Sequence, residues 1–213
     1  MLEISNISSG YGKKQVLYDI SLEVNLGEVV LLTGGNGSGK STLLKCIYNL
    51  LPCWSGEIFF EGEKINGLKP SDLIRKGIVY IPQKDYCFEN LTVEENLKIA
   101  GTIIPKKELN VKIKDVLFTT GLIDLRKKKP FNLSGGEKKI LAFAMSLLHK
   151  PKLILFDEPF SGLDKLNEEN LANLFRALII KDNVSIVLVE HKEAHIDLST
   201  TKIKMELGTI KTG

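Results

Sequence analysis

The residues with the clearest chemistry lie in Gly34-Gly35-Asn36-Gly37-Ser38-Gly39-Lys40-Ser41-Thr42. Their order, Gly-x-x-x-x-Gly-Lys-Ser, is that of a phosphate-cradling loop, the P-loop or Walker A pattern. Glycines let successive backbone N–H groups turn inward and form a nest for an anion. A helix beginning at the end of the loop adds its positive N-terminal pole. Lys40 then reaches the β- and γ-phosphates of a nucleotide, and the Ser41 hydroxyl is a ligand for Mg²⁺. A second reactive pair, Asp157-Glu158, closes the apolar run Leu153-Ile154-Leu155-Phe156. Open α/β sheets hold ligands at the carboxyl ends of such strands. Because side chains alternate along a strand, Asp157 is expected to face the metal and Glu158 a water beside the γ-phosphate.

Both groups need a sheet and a helix to aim them. Glu28–Thr33 reads as a strand running straight into the glycines, and Ser41–Leu50 as the helix behind them. Leu17–Val24 is a further strand, with Ile20, Leu22 and Val24 alternating with polar residues. Others are expected at Glu57–Phe60, Gly77–Ile81, Leu153–Phe156 and Val184–Val189. The last three are continuous apolar runs, the pattern of parallel strands covered on both faces. Between Leu91 and Lys150 helical signals replace them. Thr92-Val93-Glu94-Glu95 and Ser134-Gly135-Gly136-Glu137 have capping-box spacing, and a helix over Glu108–Thr120 stops at Gly121. The class is α/β with a helical insertion.

A chain of 213 residues with 43% hydrophobic content suits one globular domain with a sizeable core. No apolar run approaches the roughly 18–20 residues that cross a bilayer. The N-terminal stretch has no apolar signal-peptide core, so a cytoplasmic chain is expected, with any membrane role supplied by a partner. The net charge of +3 is mild. Arg126-Lys127-Lys128-Lys129 reads as a solvated loop before Pro130, and no nucleic-acid partner is expected. Cys46, Cys53 and Cys87 form no C-x-x-C pair and are odd in number, as in a chain with reduced thiols.

Leu133-Ser134-Gly135-Gly136-Glu137 resembles the signature sequence of ABC-type ATPases, the nucleotide-binding subunits of ABC transporters. The resemblance covers essentially the whole chain, with seven motifs in the family's order. Tyr11 matches the aromatic residue that stacks on adenine, and Val16 belongs to the same nucleotide-binding set. Gln83 matches the Q-loop glutamine, Ser161-Gly162-Leu163-Asp164 the D-loop, and His191 the switch histidine. The fold implied is a P-loop NTPase core with a parallel-rich sheet, an N-terminal antiparallel β-subdomain and an inserted helical subdomain. One ABC domain is expected over 1–213, with its core at 1–87 and 151–213 and the helical part at about 88–150.

The resemblance further implies ATP as the nucleotide and Mg²⁺ held by Ser41, Gln83 and Asp157. Glu158 would polarise the attacking water, Gln83 would sense metal and water, and His191 would contact the γ-phosphate, in keeping with phosphoryl transfer by positioning and charge stabilisation. Two chains would pair head to tail around two ATP molecules. Gly34–Thr42 of one chain would face Ser134, Gly135 and Gly136 of a second ABC ATPase chain, with Asp164 in the joining loop. A helix capped by Ser134 would aim its free N–H groups at phosphate. Integral membrane permease subunits would hold the chain at the inner face of the cell membrane.

Some positions depart from the family pattern. Gly35 stands where Pro or Ala is common, Lys138 and Lys139 where glutamine or arginine is frequent, and Met145 where Arg is frequent. His191 and His195 have i, i+4 spacing, but Lys192 replaces the Glu of a zinc-protease motif and no third ligand is evident, which argues against zinc. Asn90-Leu91-Thr92-Val93-Glu94-Glu95-Asn96-Leu97 is most similar to the ATPases of amino-acid importers, with a leaning to the branched-chain type. The alternative is a soluble ABC ATPase such as an iron–sulfur cluster assembly ATPase, which Ser134–Lys139 and Asp164 also resemble. Long heptad runs, which a chromosome-type ATPase would need, are missing.

Overall fold

The computed structural model of the chain describes residues 1–84, 86–190 and 201–211. Strands β1 (Leu2–Tyr11) and β2 (Lys14–Val24) form a hairpin. Two later strands, β4 (Cys53–Phe60) and β5 (Glu63–Lys64), complete an antiparallel sheet in the order β2-β1-β4-β5. The second sheet is built on β3 (Val29–Thr33), β6 (Ile78–Ile81), β7 (Leu153–Asp157), β8 (Ser185–Glu190), β9 (Thr201–Glu206) and β10 (Thr209–Lys211). Its order is β10-β9-β3-β8-β7-β6, parallel throughout except where β10 turns back on β9.

Strand alternation explains how this second sheet is covered. Val30, Leu32, Leu153, Leu155, Val187 and Val189 face the antiparallel sheet and helix α1 (Lys40–Ile47). Their neighbours Val29, Leu31, Ile154, Phe156, Ile186 and Leu188 face the opposite way. There they meet helices α5 (Gly135–Leu147) and α6 (Lys165–Asp182) through Phe143, Leu171 and Phe175. Every residue of β7 and β8 is buried, which is why residues 153–156 and 186–189 read as unbroken apolar runs.

Helix α2 (Pro70–Lys76) precedes β6. Residues 93–147 are helical, with α3 (Val93–Ala100), α4 (Lys106–Thr119), two short 3-10 turns and α5 around a third apolar cluster that includes Leu97, Leu117 and Leu141. Both expected capping boxes are formed, Thr92 with Glu95 and Ser134 with Glu137.

Several boundaries differ from the sequence expectation. The helix behind the glycines ends at Ile47 rather than Leu50, because Asn49 turns left-handed and the amides of Leu50 and Leu51 both return to the Lys45 carbonyl. The strand expected over Leu17–Val24 begins at Lys14, and that over Glu57–Phe60 begins at Cys53. Strands β1, β9 and β10 and helices α2 and α6 have no counterpart in the sequence reading.

Candidate functional site

The phosphate loop lies where β3 ends, between β9 on one side and β8 on the other. Gly34, Gly37 and Gly39 have φ of 148°, 79° and 102°, the left-handed region open to glycine. At Gly34 the restriction is also spatial, since a Cβ would stand 2.2 Å from the Met205 carbonyl oxygen. Gly35 differs, because a Cβ there meets open space, so the residue tolerates what the family commonly carries. The β9–β10 turn braces the loop through the Gly208 amide, which donates to the Ser38 carbonyl at 3.0 Å.

Lys40 opens α1, with Gly39 as N-cap. Its buried ammonium donates to the carbonyls of Gly34 (2.7 Å) and Gly35 (3.0 Å) and to Ser38 Oγ (3.3 Å). The cation thus lies inside the ring of loop atoms where an anion would be caught. Burial lowers its pKa, while Glu158, Asp157 and Glu190 pull it back up. A cavity of about 170 Å³ opens over Asn36–Thr42 and Glu158. Small-molecule sites usually begin at roughly 300 Å³, and the cavity that the described residues line is smaller.

Ser41 Oγ donates to Asp157 Oδ1 at 2.9 Å. Burial raises the Asp157 pKa; the Ser41 hydrogen bond opposes that rise. Gln83 Nε2 donates to Glu158 Oε2. Ser41 and Asp157 are thus joined directly and Gln83 reaches the neighbouring Glu158, and hydroxyl, carboxylate and amide oxygens are the ligand type Mg²⁺ takes. Their donor set fits that ion.

Asp157 ends β7 as alternation requires. Glu158 is aimed differently. Its φ of 53° breaks the strand in a left-handed turn, and its amide donates to the Val189 carbonyl at 3.0 Å. The turn, and not continued alternation, sets the direction of its carboxylate.

Tyr11 ends β1 and is 46% exposed, with Lys45 Nζ 6.0 Å from its ring centroid. Since Lys45 lies on α1, the ring stands beside the helix that carries the phosphate loop. Val16, half-buried, is on the facing strand β2. His191 and His195 lie outside the described residues.

Ser134 and Gly135, both exposed, begin α5. The Ser134 hydroxyl accepts the Glu137 amide at 3.1 Å and closes the capping box. Gly136 is buried, and a Cβ there would come within 2.5 Å of Asn167 Cγ, so the starts of α5 and α6 are in close contact. Asp164 caps α6 by accepting the Asn167 amide at 2.8 Å.

Two charged residues outside the expected set belong to this neighbourhood. Glu190 Oε1 accepts the Phe160 amide at 2.8 Å, and Lys139 Nζ donates to the carbonyls of Glu158 and Ser161. Lys139 was visible in the sequence only as a departure from the family pattern. The adjacent Lys138 points elsewhere and pairs with Glu89 at 2.9 Å. Fully buried Asn96 holds the loop that follows Gln83, bonding the Phe88 amide (2.7 Å) and the carbonyls of Phe88, Leu91 and Thr92. Phe88 itself stays 53% exposed, while Tyr86 lines a groove of about 290 Å³ together with Tyr48, Ile74, Met145 and His149.

Comparison with known proteins gives the same neighbourhood a family. Residues 17–161 match the family described as ABC transporter. The chain is 39% identical over 191 residues to the high-affinity branched-chain amino acid transport ATP-binding protein BraG of Pseudomonas aeruginosa, covering 89% of this chain and 82% of BraG. It is 34% identical over 216 residues to the lipoprotein-releasing system ATP-binding protein LolD of Bacteroides thetaiotaomicron, covering 99% of both. Among solved structures it superposes on the dimeric post-hydrolysis state of the ATP-binding cassette MJ0796 bound to ADP and Pi, at a TM-score of 0.88 and 26% identity. That match covers 100% of this chain and 97% of the cassette.

Proposed function

Since the chain belongs to the ABC transporter family of ATP-binding subunits, we propose that it works as the ATP-hydrolysing half of a transporter whose membrane subunits are separate chains. It binds and hydrolyses ATP. Relatives named for different cargoes match at similar levels: branched-chain amino acids at 39%, glutamine at 36% and lipoproteins at 34%. That is expected if cargo touches the permease and not this subunit. Of these, a branched-chain amino-acid importer is the assignment we favour, on the higher identity. Relatives named as transport subunits favour this reading over a soluble assembly ATPase.

The single observation that carries the mechanism is the meeting of Lys40, Ser41, Asp157, Gln83 and Glu158 around the loop. Backbone N–H groups of Gly34–Thr42 cradle the phosphates, and Lys40 exchanges its loop carbonyls for phosphate oxygens. Mg²⁺, held by Ser41, Asp157 and Gln83, supplies charge neutralisation at the phosphates when bound. Glu158 accepts a hydrogen bond from the attacking water and orients it, and His191 is assigned to the γ-phosphate. Tyr11 and Val16 take the adenine end, where base stacking is worth about 1–3 kcal/mol.

The remaining wall of the nucleotide site comes from Ser134, Gly135 and Gly136 of a second chain, with Asp164 in the joining loop. A cavity smaller than a nucleotide site usually offers and an exposed helix start at Ser134 and Gly135 both support this sandwich. We divide the chain into a core, 1–87 and 151–213, and a helical part at about 88–150 that carries this helix start. No helix among the described residues is long and apolar enough to cross a membrane. We therefore assign membrane attachment to a permease segment docking near residues 83–96, where Phe88 is exposed, on the inner face of the membrane.

The test uses Glu158→Gln, which keeps shape and loses the carboxylate. Phosphate release should fall by about a hundredfold or more, the lower bound for loss of a general base. Light scattering should show the mass doubling with ATP present and not without it. Rapid hydrolysis by the variant would remove Glu158 from its role. A monomer at saturating ATP, alone and mixed with purified permease, would remove the sandwich.

A further inference from the structure

Lys139 is charged, long and only 7% exposed, on a helix whose neighbouring core positions are apolar. A position needing only packing would carry Met or Leu there, because taking an ammonium out of water costs several kcal/mol of gross solvation. The ammonium is instead spent on two backbone carbonyls, Glu158 O at 2.7 Å and Ser161 O at 2.5 Å. These are short, charge-assisted bonds, stronger than neutral ones. Their acceptors bracket the turn after β7, and one of them belongs to the residue held at φ 53°.

A left-handed Glu is sparsely populated and persists only when its surroundings over-determine it. Here the Val189 carbonyl takes its amide, Gln83 takes its carboxylate, and Lys139 takes its carbonyl. Burial lowers the Lys139 pKa, and the nearby Glu190 and Glu158 charges oppose that fall. Glu190 at the end of β8 and Glu158 thus supply the negative charge that acts on the ammonium.

We propose that Lys139 is a positioning residue for ATP hydrolysis, locking the Glu158 peptide and the Ser161 loop to the helix that begins at Ser134. It touches neither nucleotide nor water, and acts through the direction of the Glu158 carboxylate. The inference rests on the reading of Glu158 as the residue that orients water. It also links the two halves of the sandwich within one chain, because the helix start that contacts one ATP is tied to the carboxylate that acts on the other.

Lys139→Met keeps length and apolar bulk but removes the donors; Lys139→Gln keeps one amide donor. In the full chain, steady-state hydrolysis and the affinity for a fluorescent ATP analogue are measured for both, with Glu158→Gln alongside. A misplacement of about 1 Å can cost on the order of a hundredfold in rate. The expected result is a kcat for Met lowered tenfold to a hundredfold at ATP affinity within twofold of wild type, with Gln restoring part of the rate. A Met kcat within twofold of wild type, or Gln no better than Met, overturns the inference. A parallel loss of ATP affinity also overturns it, since that is general loosening of the site. If thermal melts show that Met does not fold, Gln decides alone, and a wild-type kcat for Gln overturns the inference. Should Glu158→Gln remain active, the reading of Glu158 itself fails, whatever the Lys139 variants do.

Discussion

Replacing Lys40 by Ala removes the cation at the centre of the phosphate loop, and its size of effect follows from what the ammonium touches. It bonds three loop oxygens at 2.7–3.3 Å. A triphosphate replaces those neutral acceptors by ionised ones, and hydrogen bonds between charged groups contribute about 1.5–3 kcal/mol net. That corresponds to a roughly 10- to 150-fold weaker Kd for ATP. The loss is not total, because the backbone N–H nest and the start of α1 remain. Two carbonyls, those of Gly34 and Gly35, also lose their donor, so the loop is less ordered before ATP arrives and the effect lies toward the upper end. Titration calorimetry with Mg-ATP reads the Kd, single-turnover phosphate release reads the chemistry, and far-UV circular dichroism should stay native because Lys40 carries no core. An Ala variant with Kd within about threefold of wild type and normal hydrolysis would refute the assignment of this loop to phosphate.

Tyr11→Ala should weaken ATP affinity about tenfold or more, from the roughly 1–3 kcal/mol of a base stacked on an aromatic ring, while kcat at saturating ATP changes little; unchanged affinity would put adenine elsewhere. Gly136→Ala forces a Cβ to 2.5 Å from Asn167 Cγ. Overpacking of that kind costs about 1–3 kcal/mol, so calorimetry should show Tm lower by roughly 2–4 °C per kcal/mol in a chain this long. His149 is a pH probe. Burial holds its pKa below the usual imidazole value, against a backbone hydrogen bond to Ala100. The unfolded chain therefore binds more protons in the window below about 6.5, and stability falls as pH drops through it. His149→Asn should flatten that fall in urea midpoints taken between pH 7.5 and 5.5.

What the sequence made legible was local. The phosphate loop announces itself because every residue in it answers to backbone sterics or to the anion, within nine consecutive positions. Strands β3, β7 and β8 were legible because burial on both faces leaves no polar interruption. Helix α6 was missed because only Leu171, Ala172 and Phe175 of its residues are buried, too few to impose a helical stripe on a polar segment. Strand β1 was missed because its polar residues do not alternate regularly. Register shifts near Ile4, Ile7 and Ser9 break the period that alternation depends on. Gln83 and Glu158 were legible as separate motifs, but not their direct bond, because 75 residues separate them.

Lys139 marks the limit most clearly, and also says something about how the site is built. Its identity stood out as a departure, yet its partners lie 19 and 22 residues further along, on a turn whose left-handed residue no alternation rule foresees. A residue held in that region costs on the order of 1–3 kcal/mol, a cost that the fold's own contacts offset. Contacts from β8 and α5 hold its backbone, and Gln83 holds its carboxylate. The Glu158 carboxylate is thereby held by the chain's own contacts, which reduces what its orientation would draw from the binding energy of ATP. On the proposed sandwich, that binding energy is available for closing a second chain onto the phosphates.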